Sequence, residues 1–218
     1  VTQEGSAGAA DRSRLLVATR STHKLRELRE LLGVRAELID LDDVGISDEA
    51  IEDGETFEAN AAKKARFFAA LSGLPTLADD SGLEVDALSG GPGVRTRRYA
   101  GENATDEENN VKLLRALGGL APGLRGARYR CALALALPEA RGTRGGIPVR
   151  LARGTLEGRI ATTPVGNGGF GYDPIFEPAG EPAGGRTLGQ WTAEAKNRIS
   201  HRGKAARRMH RILADLGF

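Results

Sequence analysis

"RLLVATRSTHKLRELRELL", residues 14–32, decides the fold. Its first half is a short apolar run bounded by polar residues, the signature of a buried strand. Ser21 and Thr22 follow as candidate helix caps, and the leucines of "HKLRELRELL" then recur at helical spacing. The order strand, tight turn, helix is the opening unit of an α/β protein.

Working outward, "AELIDL" (residues 36–41) reads as a second strand, and Thr56 can cap a helix over "FEANAAKKARFFAAL" (57–71). A loop leads to "PTLADDSG" and "LEVDAL", where the first strand-like run is expected to end at Asp79 and Asp80 and to bend at Ser81–Gly82. Thr105 and Glu108 have capping-box spacing, and their helix is expected to stop at Gly118–Gly119. "ARYRCALALALP" and "VRLARGTLEGRIA" read as a long hairpin whose connection runs from Pro138 to Pro148. The Gly- and Pro-rich stretch 162–187 cannot be regular for long, and "SHRGKAARRMHRILADL" is a basic amphipathic helix. Strands alternating with helices, followed by an antiparallel hairpin, predict a mixed, helix-covered sheet in the α/β class.

With 218 residues, 40% of them hydrophobic, the chain can build one globular unit, expected over residues 14–218, with residues 1–13 as a disordered extension. A net charge of +2 argues against a nucleic-acid-coating protein or an acidic tail. The opening residues lack the apolar core of a signal peptide and no apolar run approaches the length of a bilayer span, so a cytoplasmic location without membrane partners is expected. The one cysteine, Cys131, excludes an intrachain disulfide and reads as a buried strand residue.

Four segments carry chemistry. "TRSTHK" (Thr19, Arg20, Ser21, Thr22, His23, Lys24) lies between a strand and a helix N-terminus, where unpaired backbone N–H groups and the helix dipole favour phosphate, and Lys24 adds a mobile charge. In "ADDSG", two adjacent carboxylates repel and neither favours a strand; a metal ion explains them, as does a plain turn. In an extended chain they would face opposite ways, so one could take metal or water while the other braces the loop. The acidic loop "EAIEDGETF" then offers Glu52 or Asp53 as a second ligand for magnesium, an ion held by one or two carboxylates plus substrate phosphates.

"GNGGFGYDP" (166–174) lets backbone approach a flat ligand and offers the Phe170 and Tyr172 rings for stacking; an ordinary Gly-rich connection fits the same residues. Finally, Lys196, His201 and Arg202 cluster near the start of the last helix as donors for carbonyls or phosphates, while Lys204, Arg207, Arg208 and Arg211 read as a solvated basic face. With 5% aromatic residues, the stacking platform of a single-strand nucleic-acid binder is missing, so no nucleic-acid partner is expected.

In order along the chain, "TRSTHK", "EDGETFEANA", "ADDSGL", "GNGGFGYDP" and "ISHRGKA" resemble the motifs of the inosine triphosphate pyrophosphatase family, and the resemblance spans residues 14–216. It implies hydrolysis of deaminated purine nucleoside triphosphates (ITP, dITP, XTP) to the monophosphate and pyrophosphate. It also implies an elongated α/β fold with a long mixed sheet, two lobes flanking a nucleotide cleft, and a homodimer. Carried over by position, it assigns Thr19 to Lys24 to the phosphates, Glu52 and Asp80 to magnesium, and Asp80 also to proton acceptance. Ser81, Phe170, Gly171, Tyr172, Asp173, Lys196, His201 and Arg202 become nucleotide contacts. Two departures fall in the first motif, where Ser21 stands for the family's usual asparagine and Arg20 for a common glycine.

Overall fold

A computed structural model describes residues 13–138 and 146–218, so most of the N-terminal extension and the middle of the hairpin connection lie outside the described residues. Strand β1 (Arg14–Ala18) leads through α1 (Thr22–Leu32) to β2 (Glu37–Ile39), and β2 through α2 (Phe57–Ser72) to β3 (Thr76–Val85). After α3 (Asp106–Ala116) come the long strands β4 (Gly126–Ala136) and β5 (Val149–Ile160), the short β6 (Phe176–Pro178), and helices α4 (Ala193–Ile199) and α5 (His201–Asp215). The six-stranded sheet has the order β2-β1-β3-β4-β5-β6. Strand β1 pairs in parallel with β2 and β3, and every pairing from β3 to β6 is antiparallel, the mixed sheet expected from the sequence.

Side chains alternate between the two faces, and each face has its own core. Leu15 and Val17 of β1, Leu77 of β3, and Leu133 and Leu135 of β4 meet Leu28 and Leu32 of α1 and Ala205, Met209 and Leu213 of α5. On the other face Leu16, Ala18, Ala78, Ala132 and Ala134 meet Phe57, Ala61, Ala65 and Phe68 of α2. The small residues on this second face let α2 lie close to the sheet. A third cluster, with Leu83, Val85, Leu113, Tyr129, Ile160 and Phe176, fills the end beyond the aspartates.

Two expectations are corrected. The strand does not end or bend at Asp79–Gly82; β3 runs unbroken for ten residues, paired with β4 from Thr76–Ala136 to Val85–Ala127. Both carboxylates fit in a central strand because helices on each face supply them with partners. The capping box at Thr105 and Glu108 is present, but α3 stops at Ala116, with Leu117 as its cap, before the glycine pair.

Glycine at two strand positions brings other elements close to the sheet. A Cβ on Gly82 would lie 2.6 Å from the Gly93 carbonyl oxygen, so the turn at Gly93–Arg98 can cross β3. A Cβ on Gly154 would lie 2.0 Å from the His201 carbonyl oxygen, so the first turn of α5 rests directly on β5. Cys131 is buried, as expected, and burial pushes its thiol up to about 12.

Candidate active site

Asp79 shares its face of β3 with Leu77, and Asp80 shares the opposite face with Ala78, so the alternation of the strand sends one carboxylate toward α1 and α5 and the other toward α2. Asp79 is 1% exposed; its Oδ2 lies 3.1 Å from Lys24 Nζ and 3.4 Å from an Arg202 guanidinium nitrogen. Burial pushes its pKa up, but Lys24, Arg202 and Lys64 outweigh that effect and hold the carboxyl well below the usual carboxylate range.

Asp80 lies in the opposite environment. Its Oδ2 accepts a hydrogen bond of 3.1 Å from Asn60 on α2, and its Oδ1 one of 2.9 Å from the Ser81 N–H. Burial drives its pKa up to about 6; Lys24 and Lys64 oppose the shift and the Glu52 carboxylate reinforces it. Two adjacent aspartates thus shift in opposite directions because they face different helices.

Asn60 and Lys64, one helical turn apart on α2, organise the acidic side. Asn60 accepts from the Gly54 N–H at 2.7 Å and donates to the Gly54 carbonyl, tying the loop that carries Glu52 to the helix that holds Asp80. Lys64 ion-pairs with Glu52 and donates to the Asp79 carbonyl oxygen at 3.1 Å. Asp53 turns away, exposed and paired with Lys63 at 2.6 Å, so Glu52 is the loop carboxylate that lines the site. The sequence places Asn60 in the "EDGETFEANA" motif without giving it a role, and Lys64 in a stretch that reads as an ordinary packed helix. Their i,i+4 spacing, one turn after a capped acidic loop, was the available signal.

The cationic side is built from α1, α4 and α5. Ser21 caps α1, its hydroxyl accepting from the Lys24 N–H. Glu27, one turn beyond Lys24, ion-pairs with Arg202 and, at 3.3 Å, with Lys196. Burial pushes Glu27 up, but Arg202 and Lys196 hold it below its ordinary value. Lys196 also pairs with Asp173 at 2.7 Å, and Asp173 Oδ2 accepts from the Phe170 N–H at 3.0 Å. Arg202 reaches the Ser81 hydroxyl at 2.9 Å. His201 stacks on Tyr129 with ring centroids 4.7 Å apart, and burial together with Arg202 and Lys196 pushes its pKa well below the usual histidine range, so the imidazole is neutral. The Phe170 ring stacks on His23 at 5.2 Å and carries the Lys196 ammonium 4.5 Å from its centroid.

All sixteen candidates from the sequence line one cleft of about 840 Å³: Thr19 to Lys24, Glu52, Asp80, Ser81, Phe170 to Asp173, Lys196, His201 and Arg202. A second concavity of about 700 Å³ lies over α3 and gathers none of them. Arg20 lines the cleft, yet it spends its donors on the carbonyl oxygens of Ile46 and Asp48 at 2.9 and 3.1 Å, bracing the turn against the loop that leads to Glu52. Among the basic residues of α5, Lys204 is half-buried and donates to the Thr155 carbonyl, while Arg207, Arg208 and Arg211 are exposed.

The fold and the cleft define a class: a mixed-sheet α/β protein in which a carboxylate pair on α2's side faces a helix N-terminus and a buried cationic cluster. The chain belongs to the Ham1 family, whose profile matches residues 15–212. It is 48% identical to a dITP/XTP pyrophosphatase of Geobacter sulfurreducens over 88% of this chain and 92% of that protein, and 47% identical to one of Nocardia farcinica over 94% and 96%. Among solved structures, a HAM1 protein from Coxiella burnetii superposes with a TM-score of 0.81 at 38% identity, covering 93% of this chain and 99% of that one. A nucleoside-triphosphatase / dITP/XTP pyrophosphatase from Mycobacterium abscessus superposes with a TM-score of 0.72 at 42% identity, covering 90% and 98%.

Proposed function

We propose that this protein hydrolyses deaminated purine nucleoside triphosphates, ITP, dITP and XTP, between the α and β phosphates, releasing the nucleoside monophosphate and pyrophosphate. The observation that carries this reading is the division of labour across β3. Asp80, with its raised pKa, faces the cleft beside Glu52, while Asp79 is buried as the counter-ion of Lys24 and Arg202. The family membership and the dITP/XTP pyrophosphatase relatives support it.

In this reading the N-terminus of α1 and Lys24 receive the phosphates, the dipole and the ammonium offsetting the charge of the leaving pyrophosphate. Asp80 accepts the proton of the attacking water; a carboxyl whose pKa is about 6 is matched to that task near neutral pH. Lys64 holds Glu52 in place and offsets the repulsion between Glu52 and Asp80. Glu52 and Asp80 suit magnesium. They are two carboxylates in one cleft, and the like charge of Glu52 helps raise Asp80, a repulsion that a divalent cation relieves. Among the described residues no third carboxylate, histidine or cysteine joins them, as expected for an ion that completes its shell with water and substrate phosphate. When bound, magnesium would neutralise triphosphate charge and lower the pKa of a water.

Base selection falls to the far side of the cleft. Arg202 Nε–H is buried with no acceptor among the described residues, and the buried His201 Nδ1 has no hydrogen-bond partner among them. A hypoxanthine or xanthine carbonyl at position 6 supplies that acceptor, whereas the adenine amino group does not. Phe170 stacks on the base once His23 swings from its face. A homodimer, which light scattering would test, and a cytoplasmic location belong to the same proposal; among the described residues no helix is long and apolar enough to cross a membrane.

The test is pyrophosphate release from ITP, XTP, dITP, ATP and GTP with and without magnesium. Metal-dependent release from the first three, well above ATP, is expected. Release from none of them in the presence of magnesium would overturn the reading.

A further inference from the structure

Gly171, the residue after Phe170, is gripped at both ends of its backbone by one helix. Its N–H donates to Asp106 Oδ2 at 2.6 Å, and its carbonyl oxygen accepts from Asn110 Nδ2 at 3.1 Å. Asp106 and Asn110 stand one turn apart on α3 and therefore share a face. The N–H of Gly171 belongs to the same rigid peptide plane as the Phe170 carbonyl, so the Asp106 contact fixes the backbone orientation from which the Phe170 ring projects. Gly171 itself has φ +63°, a left-handed conformation open to glycine, so the peptide chain turns sharply where it is gripped.

The rest of the neighbourhood anchors α3 rather than leaving it free to follow the loop. Asn109, the next residue to Asn110, accepts from the Ala100 N–H at 2.8 Å and donates to the Arg97 carbonyl at 2.9 Å. The Tyr172 hydroxyl donates to the Thr96 carbonyl at 2.8 Å, joining the loop to the same turn over β3. The two asparagines thus face two different segments. One ties α3 to the 93–100 turn, and the other ties it to the aromatic loop.

We infer that Asp106 and Asn110 form a clamp that positions Phe170 for stacking on the nucleotide base. The clamp is a positioning device and touches no reacting atom. It rests on the reading of Phe170 as the base-stacking residue. Its two halves have opposite hydrogen-bond polarity, which makes the assignment testable by isosteric change: Asp106 acts only as an acceptor, so asparagine can replace it, whereas Asn110 acts as a donor, so aspartate cannot.

The experiment measures ITP binding by calorimetry in EDTA, and kcat and KM with magnesium, in the full chain. Asp106→Ala and Asn110→Ala are each expected to weaken ITP binding about tenfold and to raise KM with little change in kcat, because the lost contact orders the base and not the phosphates. Asp106→Asn should recover most of what Asp106→Ala loses, and Asn110→Asp should bind more weakly than Asn110→Ala because it sets a carboxylate against a carbonyl. On a Phe170→Ala background both alanine substitutions should lose their effect on binding, and this comparison cancels any general loosening of the fold because both arms carry it. Equal losses with and without Phe170, or a loss confined to kcat, would overturn the clamp. So would wild-type protein that fails to bind ITP. ITP bound but not hydrolysed would sink the pyrophosphatase reading and leave the clamp to be judged on affinity alone.

Discussion

Asp79 and Asp80 are adjacent in β3 and serve opposite faces of the sheet: the first is locked 3.1 Å from Lys24, and the second is held 3.1 Å from Asn60 beside Glu52. The covalent neighbours share Lys24 and Lys64, yet Arg202 acts on the first and Glu52 on the second. Replacing each by asparagine should therefore give different phenotypes, although the chemical change is the same.

Asp80→Asn removes the carboxylate that takes the proton and one of two metal-binding groups, while its single amide oxygen can still accept one of the two hydrogen bonds donated by Asn60 and the Ser81 N–H. Turnover of ITP should fall by about 10²–10⁴-fold. Melting temperature in EDTA should not fall, because the substitution deletes a charge that burial disfavours. Near-wild-type turnover would remove Asp80 from catalysis.

Asp79→Asn should damage the fold. It leaves Lys24 and the fully buried Arg202 without their shared counter-ion, a defect of about 3–5 kcal/mol for a broken buried pair. Urea unfolding measures it. A loss below about 1 kcal/mol would show that Glu27 alone compensates Arg202.

How much of this was legible beforehand follows from what each element's signal is made of. The β1–α1 unit, the Thr56 and Thr105 caps and the long β4–β5 hairpin were readable because they depend on local periodicity and capping chemistry. The continuity of β3 was not, because local propensity argues against two aspartates in mid-strand. What reverses it is the arrival of Lys24, Arg202, Asn60 and Lys64 from three different helices. Sixteen of the candidate site residues line one cleft because the parallel β1–β3 pair sets the helix start after β1 beside Asp80 and Ser81 in mid-strand, while Asp53 turns away to Lys63. The roles of Asn60, Lys64 and Glu27 are not legible for the converse reason. Each sits within a regular helix, and its role exists only through a partner far away in the chain.

Acid stability offers a check on the cationic side. Glu27 is held below its ordinary carboxylate value of 4.5, so its contribution is fully present above that value and is lost as pH falls through the lower folded value. Glu27→Gln should therefore lower stability at neutral pH and flatten the loss on acidification below pH 4.5, measured by urea midpoints from pH 7 to pH 3. If the slope of the acid limb is unchanged, Glu27 is not ion-paired in solution.

Base choice is the final prediction, and the structure dictates which substitution can test it. Arg202→Ala would strand Glu27 and Asp79 as unpaired buried charges, so a loss of activity would report on folding as much as on recognition. Arg202→Lys keeps a cation for both partners but deletes the planar fork and the Nε–H that has no acceptor among the described residues. If that N–H donates to the carbonyl at position 6, the ratio of kcat/KM for ITP over ATP should fall, since only ITP makes the deleted hydrogen bond. Phe170→Ala should penalise ITP and ATP alike, because stacking is indifferent to the groups on the base edge. The ratio cancels general damage. Should Arg202→Lys leave the preference untouched while Phe170→Ala collapses it, the two roles are reversed; should neither change the preference, the carbonyl is read by another group, and His201, whose Nδ1 has no hydrogen-bond partner among the described residues, is the next to substitute.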